Sequence, residues 1–225
     1  MFSPGSKDRL TEFDLARFPG ESLFDRVGRA VCRAGCLPRK ELFEAWEVAR
    51  RVRRRFRGGR VVDLAAGHGL LAHVMLLLDD SSPNAVAIDT ALPASSVRLH
   101  EVLVESWPRL AGRVTLTSAD LDSLELQPTD VVVSSHACGT LTDLVLDRAM
   151  SVGARVAVLP CCHDVDTCDT GGLTGWVDAA LAIDLMRAAR LQQRGYHVWT
   201  QTIPSDITPK NRLLMGSLID DKERD

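Results

Sequence analysis

The 225-residue chain is 45% hydrophobic and carries 27 Lys and Arg against 30 Asp and Glu, for a formal charge of −3. That length supports one full-sized core with a modest appendage, so one structural domain is expected overall. No apolar run approaches the ~20 residues of a membrane-spanning helix, and the opening MFSPGSKDRLTEF lacks a signal-type apolar stretch; the expectation is a cytoplasmic protein with no membrane partner.

Residues 1–57 read as an N-terminal arm plus helices packed on the core, and residues 58–225 as the main folding unit. The arm is polar, with Phe2, Phe13, Phe18 and Phe24 spaced as aromatic anchors and a turn at Pro19-Gly20. From Glu21 to Phe56 the pattern is helical with a break near Gly35–Pro38, which predicts two helices. Between Arg26 and Arg60 lie 12 of the 27 bases and only three acids, Glu41, Glu44 and Glu47. Such a basic segment beside an acidic remainder suits an anionic partner such as RNA, or else a solvated helix face.

After Gly58-Gly59 short β-rich runs alternate with helical stretches, the pattern of a parallel sheet with crossover helices. The runs are 61–64, 85–88, 114–117, 131–134, 156–159, 197–203 and 213–219. The linker PSDITPKN is too short for a crossover, so the last two strands are expected to pair antiparallel at the end of the sheet.

Within VVDLAAGHGLLAHVM the first strand carries Asp63 and the loop presents Ala65, Gly67, His68 and Gly69 before an apolar helix. Glycines let a ligand approach the backbone closely, and the helix start offers free N–H groups. Asp89 ends the second strand 20 residues after Gly69, where a carboxylate accepts ribose hydroxyls. Asp120 follows the third strand and can reach an adenine amino group, with Leu121 beside it at the same ligand edge. GHGLLA also fits the G-x-G-x-x-A dinucleotide form, which keeps a nicotinamide cofactor as the alternative. Asp63 at the loop's mouth and the closing antiparallel pair favour S-adenosylmethionine.

The fourth strand runs into SSHACGTLTD and the fifth into LPCCHD, so that His136, Cys138, Cys161, Cys162 and His163 converge at neighbouring strand ends. As structure, the cysteines are small buried hydrophobes. As chemistry, His136 or His163 can take a proton from an oxygen or nitrogen nucleophile. Zinc suits Cys and His ligands, but adjacent cysteines lack C-x₂-C spacing, and no metal ligands are assigned. Covalent catalysis through Cys138 and Cys161 is the remaining reading.

The order D-L-A-A-G-H-G, H-A-C-G-T-L-T-D, P-C-C-H resembles the class I methyltransferase family that includes the Trm13-type tRNA 2′-O-methyltransferases, the methyltransferase-like 25 group and the C-terminal half of the glutathione S-transferase C-terminal domain-containing protein. The match falls on His136, Cys138, Gly139, Thr142, Asp143, Cys161, Cys162 and His163, within a resemblance spanning roughly residues 37–219. It implies a Rossmann-like α/β fold: a seven-stranded, mostly parallel sheet with an antiparallel C-terminal pair and helices on both faces. It also implies S-adenosylmethionine held by Asp63, Ala65, Gly67, His68, Gly69, Asp89, Asp120, Leu121 and His136. The catalytic candidates are His136, Cys138, His163 and Asp143. Ala65 stands where the family has its first loop glycine, and no zinc-finger spacing surrounds Cys32 and Cys36.

The expected activity is methyl transfer to an oxygen or nitrogen acceptor, on RNA (tRNA by the resemblance), a small molecule or a protein side chain. A non-catalytic cofactor-binding module and an NAD-dependent oxidoreductase are the alternatives. On the acceptor side, residues 175–196 predict a long helix with Val177, Ala180, Leu181, Ala188 and Leu191 as its apolar stripe. Asp184 falls in that stripe, either paired with Arg187 or facing the acceptor. The polar turn Pro204–Arg212 is read as either a rim of the site or a solvated hairpin. Lys40 is read as a surface cation, or alternatively as a contact for a cofactor carboxylate.

Overall fold

The computed structural model describes residues 3–219. All seven expected strands form, within one residue of their expected limits: β1 (Val61–Leu64), β2 (Ala85–Asp89), β3 (Val114–Ser118), β4 (Val131–Ser134), β5 (Arg155–Val158), β6 (Tyr196–Thr202) and β7 (Arg212–Leu218). They lie side by side in the order β3-β2-β1-β4-β5-β7-β6. The first five are mutually parallel, and β7 inserts antiparallel between β5 and β6. β1 and β4 at the centre are buried throughout, as a strand covered on both faces must be, and this is why they read as unbroken apolar runs.

Six helices cover the sheet: α1 (Leu23–Ala34), α2 (Arg39–Arg55), α3 (Leu70–Leu78), α4 (Ser95–Ser106), α5 (Thr140–Val152) and α6 (Ala179–Gln193). One core, on the face carrying α1 to α4, takes Val61, Val131 and Val133 from the central strands. A second core, beneath α5 and α6, takes Val62, Leu64 and Val132. The pleat divides alternate residues between the two. Helix α1 begins where the Ser22 hydroxyl accepts the Asp25 N–H at 3.1 Å and ends at Gly35, whose φ of 64° a side chain would strain. No helix among the described residues is long and apolar enough to cross a membrane.

The aromatic anchors divide. Phe18 is buried flat against Gly28, where a Cβ would meet its ring at 2.4 Å, and Phe24 packs edge-on to Phe43. Phe13 is 98% exposed and anchors nothing; Phe2 lies outside the described residues.

Helix α6 is shorter than its sequence pattern. The Asp178 carboxylate caps the Leu181 N–H at 3.0 Å, so residues 175–178 stay outside the helix, and Tyr196 already belongs to β6. Its buried face is Ala182, Ile183, Arg187 and Leu191, so of the expected stripe only Leu191 is buried. Apolar periodicity could not register Arg187, which is buried because it meets Asp143 at 2.8 Å.

The arginine-rich end of α2 is also organised from within. α2 spans about 25 Å at 1.5 Å per residue, and its C-terminal end leads directly into β1, so Arg50–Arg57 sit at the amino edge of the sheet. Arg53 is buried and pairs with Asp79, which Arg57 also approaches at 3.5 Å. Arg51 pairs with Glu47, and Arg55 lies 4.5 Å above the Trp199 ring. Asp79→Ala strands the Arg53 guanidinium in the interior, where an uncompensated charge costs about 3–5 kcal/mol. Chemical denaturation should show a loss of that size; a loss below about 1 kcal/mol, the worth of an exposed pair, would show that Arg53 is solvated in solution.

Candidate active site

The parallel strands all end at one edge, and the glycine loop, Asp89 and the cysteine-rich segments gather there. Asp63 is 1% exposed. Its Oδ2 accepts the Ala72 N–H at 3.3 Å, while Oδ1 is buried without a hydrogen-bond partner among the described residues. Burial pushes the carboxyl up to about 8, with Asp89 adding to the rise. After β1 the backbone curls through Ala65, Gly67 and Gly69 with φ of 56°, 54° and 75°. Ala65 thus adopts, at some steric cost, the left-handed geometry that glycine tolerates freely. A Cβ on Gly69 would come within 3.0 Å of Ala87 and Leu116. The Gly67 N–H donates to Asp89 Oδ2 at 2.9 Å, and the Ala91 N–H donates to Oδ1 at 3.0 Å, which holds the Asp89 carboxylate at the tip of β2. Asp120 is exposed at the end of β3, and Leu121 beside it is buried.

His68 meets Ser95 at 3.0 Å, and its ring lies 3.9 Å from Glu41. His136 stands across the loop: a Cβ on Gly67 would touch its ring at 3.7 Å. Among the described residues its ring nitrogens make no hydrogen bond. Burial, together with Lys40 and His68, lowers His136 to about 4 against the pull of Asp89, so the ring is neutral at physiological pH. A narrow slit beside it is lined by Leu37, Glu41, Ala66 and Ser135.

The amino end of α2 reaches over this edge. Lys40 is half-buried and pairs with the buried Glu44 at 3.0 Å, and its charge acts on both His136 and Cys138. Glu44 also takes a hydrogen bond from Thr208 in the β6–β7 turn, which ties that turn to α2. Burial, then Glu44, pushes Glu41 up to about 7. A signal for Glu44 existed: it lies four and eight residues before Val48 and Val52, in the buried stripe of the helix.

The expected catalytic candidates part company. Cys138 is exposed, with its sulfur 2.8 Å from that of Cys161. His163 is directed toward α6, its side chain 3% exposed and Nε2 2.8 Å from Asp184. Arg212 Nε donates to the other Asp184 oxygen at 2.7 Å, and Arg187 is a third partner at 3.4 Å. Burial would raise the Asp184 carboxyl, but the hydrogen bonds from His163 and Arg212 outweigh it and hold it low. Asp143 is clamped by Arg187 at 2.8 Å and Arg190 at 3.0 Å. Between α6 and the β6–β7 pair lies a cavity of about 440 Å³ with Leu181, Leu185 and Ala188 on one wall and Thr200, Thr202 and Arg212 on the other.

A parallel α/β sheet closed by an antiparallel strand, with a glycine loop and strand-end carboxylates, is the arrangement of a class I methyltransferase. A family model described as a methyltransferase domain matches residues 41–166, more than half of the chain. The chain belongs to that family, and its cofactor is S-adenosylmethionine. Glutathione S-transferase C-terminal domain-containing proteins are similar to it: the Drosophila melanogaster homolog is 24% identical over 72% of this chain and 34% of its own length, and the Xenopus laevis protein is 26% identical over 72% and 31%. The chain therefore spans about a third of the length of these relatives. Among solved structures, an O-methyltransferase family protein from Burkholderia thailandensis has the same fold, with a TM-score of 0.55 at 17% identity, covering 96% of this chain and 66% of its own. The B. subtilis tRNA methyltransferase TrmK superposes with a TM-score of 0.52 at 14% identity, covering 77% and 66%.

The residues present fit this cofactor. A buried carboxylate oxygen without a partner awaits a cationic donor, and the left-handed loop leaves backbone room for a ligand. Because Asp63 keeps its proton up to about pH 8 when folded but releases it near 4 when unfolded, its contribution to stability is complete at low pH and is lost as pH rises through that window. Asp63→Asn, neutral at every pH, should flatten the decline of the ligand-free melting temperature across it. A slope identical to that of the wild type would show that Asp63 is ionised in the fold.

Proposed function

We propose that this domain transfers a methyl group from S-adenosylmethionine to an oxygen or nitrogen atom of a compact acceptor, with His136 as the proton acceptor. The observation that carries the reading is the state of His136: a neutral ring, free of hydrogen bonds among the described residues, standing over the glycine loop. The cofactor supplies a methyl carbon that passes to the acceptor's lone pair while the sulfonium sulfur takes the bonding electrons. Asp63, Ala65, Gly67, His68 and Gly69 would hold its amino-acid end, and Asp89, Asp120 and Leu121 its nucleoside. In-line displacement is served mainly by positioning, and His136 takes the proton that the acceptor sheds. Asp143 and His163 act on this reading as positioning groups, since both are locked to α6. The N-terminal helices are part of the same unit: α2 supplies Lys40, Glu41 and Glu44 to the edge.

The cavity between α6 and the β6–β7 pair supports a compact acceptor, with apolar walls for its body and Asp184, Gln201 and Arg212 for its polar groups. The arginines of 50–57 support RNA less, because they lie at the opposite edge of the sheet and Arg51, Arg53 and Arg55 serve contacts within the fold.

Labelled methyl transfer into cell extract, followed by size fractionation, should place the label in small molecules, insensitive to RNase and protease. RNase-sensitive label would make the acceptor RNA, and transfer to no fraction would make the domain a non-catalytic cofactor binder. His136→Ala should lower kcat by about 10²–10⁴-fold with cofactor affinity kept, and the acid limb of wild-type activity should fall near pH 4 rather than 6.5, since the ring is a base only above its depressed value. Unchanged turnover removes His136 from the mechanism. Ala188→Trp, which fills the cavity, should cut kcat/KM for the acceptor fraction by about tenfold or more. No change would empty the cavity of that role.

A further inference from the structure

The three cysteines at the ends of β4 and β5 form a cluster that the methyl-transfer reading leaves unused. The sulfurs of Cys138, Cys161 and Cys162 all lie within 4.8 Å of one another, and no fourth side chain of ligand type joins them among the described residues. The two segments are brought together by parallel pairing that sets Ser134 beside Val158, and they are then laced by the Gly139 N–H donating to the Cys162 carbonyl at 3.3 Å. Gly139, with φ 56° and ψ −130°, turns the chain so that Cys138 immediately precedes the amino end of α5. Only glycine adopts that geometry without strain.

We propose that Cys138, Cys161 and Cys162 bind one zinc ion as three thiolates, with the fourth coordination position open to an external ligand. The spacing suits it: zinc–sulfur bonds of about 2.3 Å in tetrahedral geometry set sulfurs roughly 3.8 Å apart. The present separations bracket that value, from 2.8 Å for the Cys138–Cys161 pair to at most 4.8 Å. Three soft ligands select a thiophilic ion over magnesium or calcium, which seek oxygen. Cys138 and Cys162 are exposed, so an ion has an entry path and its fourth position faces outward. An open position is the mark of a zinc site that engages ligands rather than one that only braces a fold.

Binding forms three Zn–S bonds and breaks three S–H bonds, and the three protons leave to solvent. Burial works against the resulting anionic centre, and two nearby positive groups offset part of that cost. Lys40 acts on Cys138, and the amino end of α5 presents its partial positive charge to the same residue. Each thiol gives up its proton on binding, so uptake rises with pH. His163 is not a ligand on this assignment, because neither of its ring nitrogens lies within 4.8 Å of all three sulfurs.

The test uses the reduced, metal-stripped chain titrated with Co²⁺ and then Zn²⁺. One equivalent of Co²⁺ should produce a near-ultraviolet thiolate charge-transfer band and visible tetrahedral bands, both abolished by one equivalent of Zn²⁺, with about three protons released into weak buffer. Cys138→Ser, Cys161→Ser and Cys162→Ser should each weaken binding by more than about 100-fold, beyond the range for losing an outer-shell partner. Cys36→Ala, whose thiol lies in the core, should leave it intact. Circular dichroism separates lost ligands from lost folding, and any one folded serine variant suffices. Absence of the thiolate band in the wild type, or wild-type affinity in the folded serine variants, overturns the assignment.

Discussion

Parallel pairing around β1 governs where the chemistry of this chain can be. β1 lies between β2 and β4, and parallel registers running from β3 to β5 carry every strand to the same edge. Each strand then releases its polar residues at that edge: Asp63 and the loop from β1, Asp89 from β2, Asp120 after β3, His136 and Cys138 after β4, Cys161 and Cys162 after β5. β7 is the one strand that could disturb the pattern. Being antiparallel, it begins where the others end, and so delivers Arg212 and the polar turn to the same edge. The sheet's interior is apolar on both faces, which leaves the strand ends as the place where charged groups can gather without losing solvent altogether.

The edge holds its charges by opposing environments. Asp63, Glu41 and Glu44 are pushed toward neutrality by burial, whereas Asp184 is held ionised by His163 and Arg212. His136, buried and near Lys40, stays uncharged. The inner part of the site therefore carries little net charge, with Lys40 paired to Glu44, which suits a cationic donor entering with its own carboxylate. The α6 side carries fixed ion pairs that stiffen the segments bearing the cysteines, since Arg187 binds the Gly139 carbonyl at 2.9 Å as well as Asp143 and Asp184.

The arginines of α2 show how composition misleads when it is read without partners. Twelve bases in thirty-five residues resembled an electrostatic footprint, but the folded chain gives several of them acceptors of its own. Arg53 found Asp79, Arg60 found Asp130 at 2.7 Å, and Arg29 found backbone carbonyls of the arm. Buried or half-buried pairs of this kind arise between segments far apart in sequence, so the local charge count could not anticipate them.

Strand positions, their alternation with helices, the closing antiparallel pair and the glycine loop with Asp63 and Asp89 were all legible in the sequence. Each rests on local periodicity or on short-range backbone geometry, which neighbouring residues encode. What only the tertiary structure decided was the division of labour among the convergent side chains. His136 and Cys138 face the site while His163 and Asp143 turn to α6, because Asp184, Arg187 and Arg190 on that helix offer partners that no spacing along the chain announces. Likewise Lys40, Glu41 and Glu44 enter the site only once α2 lies over the edge. Local sequence determined which backbone could form; long-range pairing of charged groups, set by how the helices lie on the sheet, decided which of its side chains remained free for chemistry.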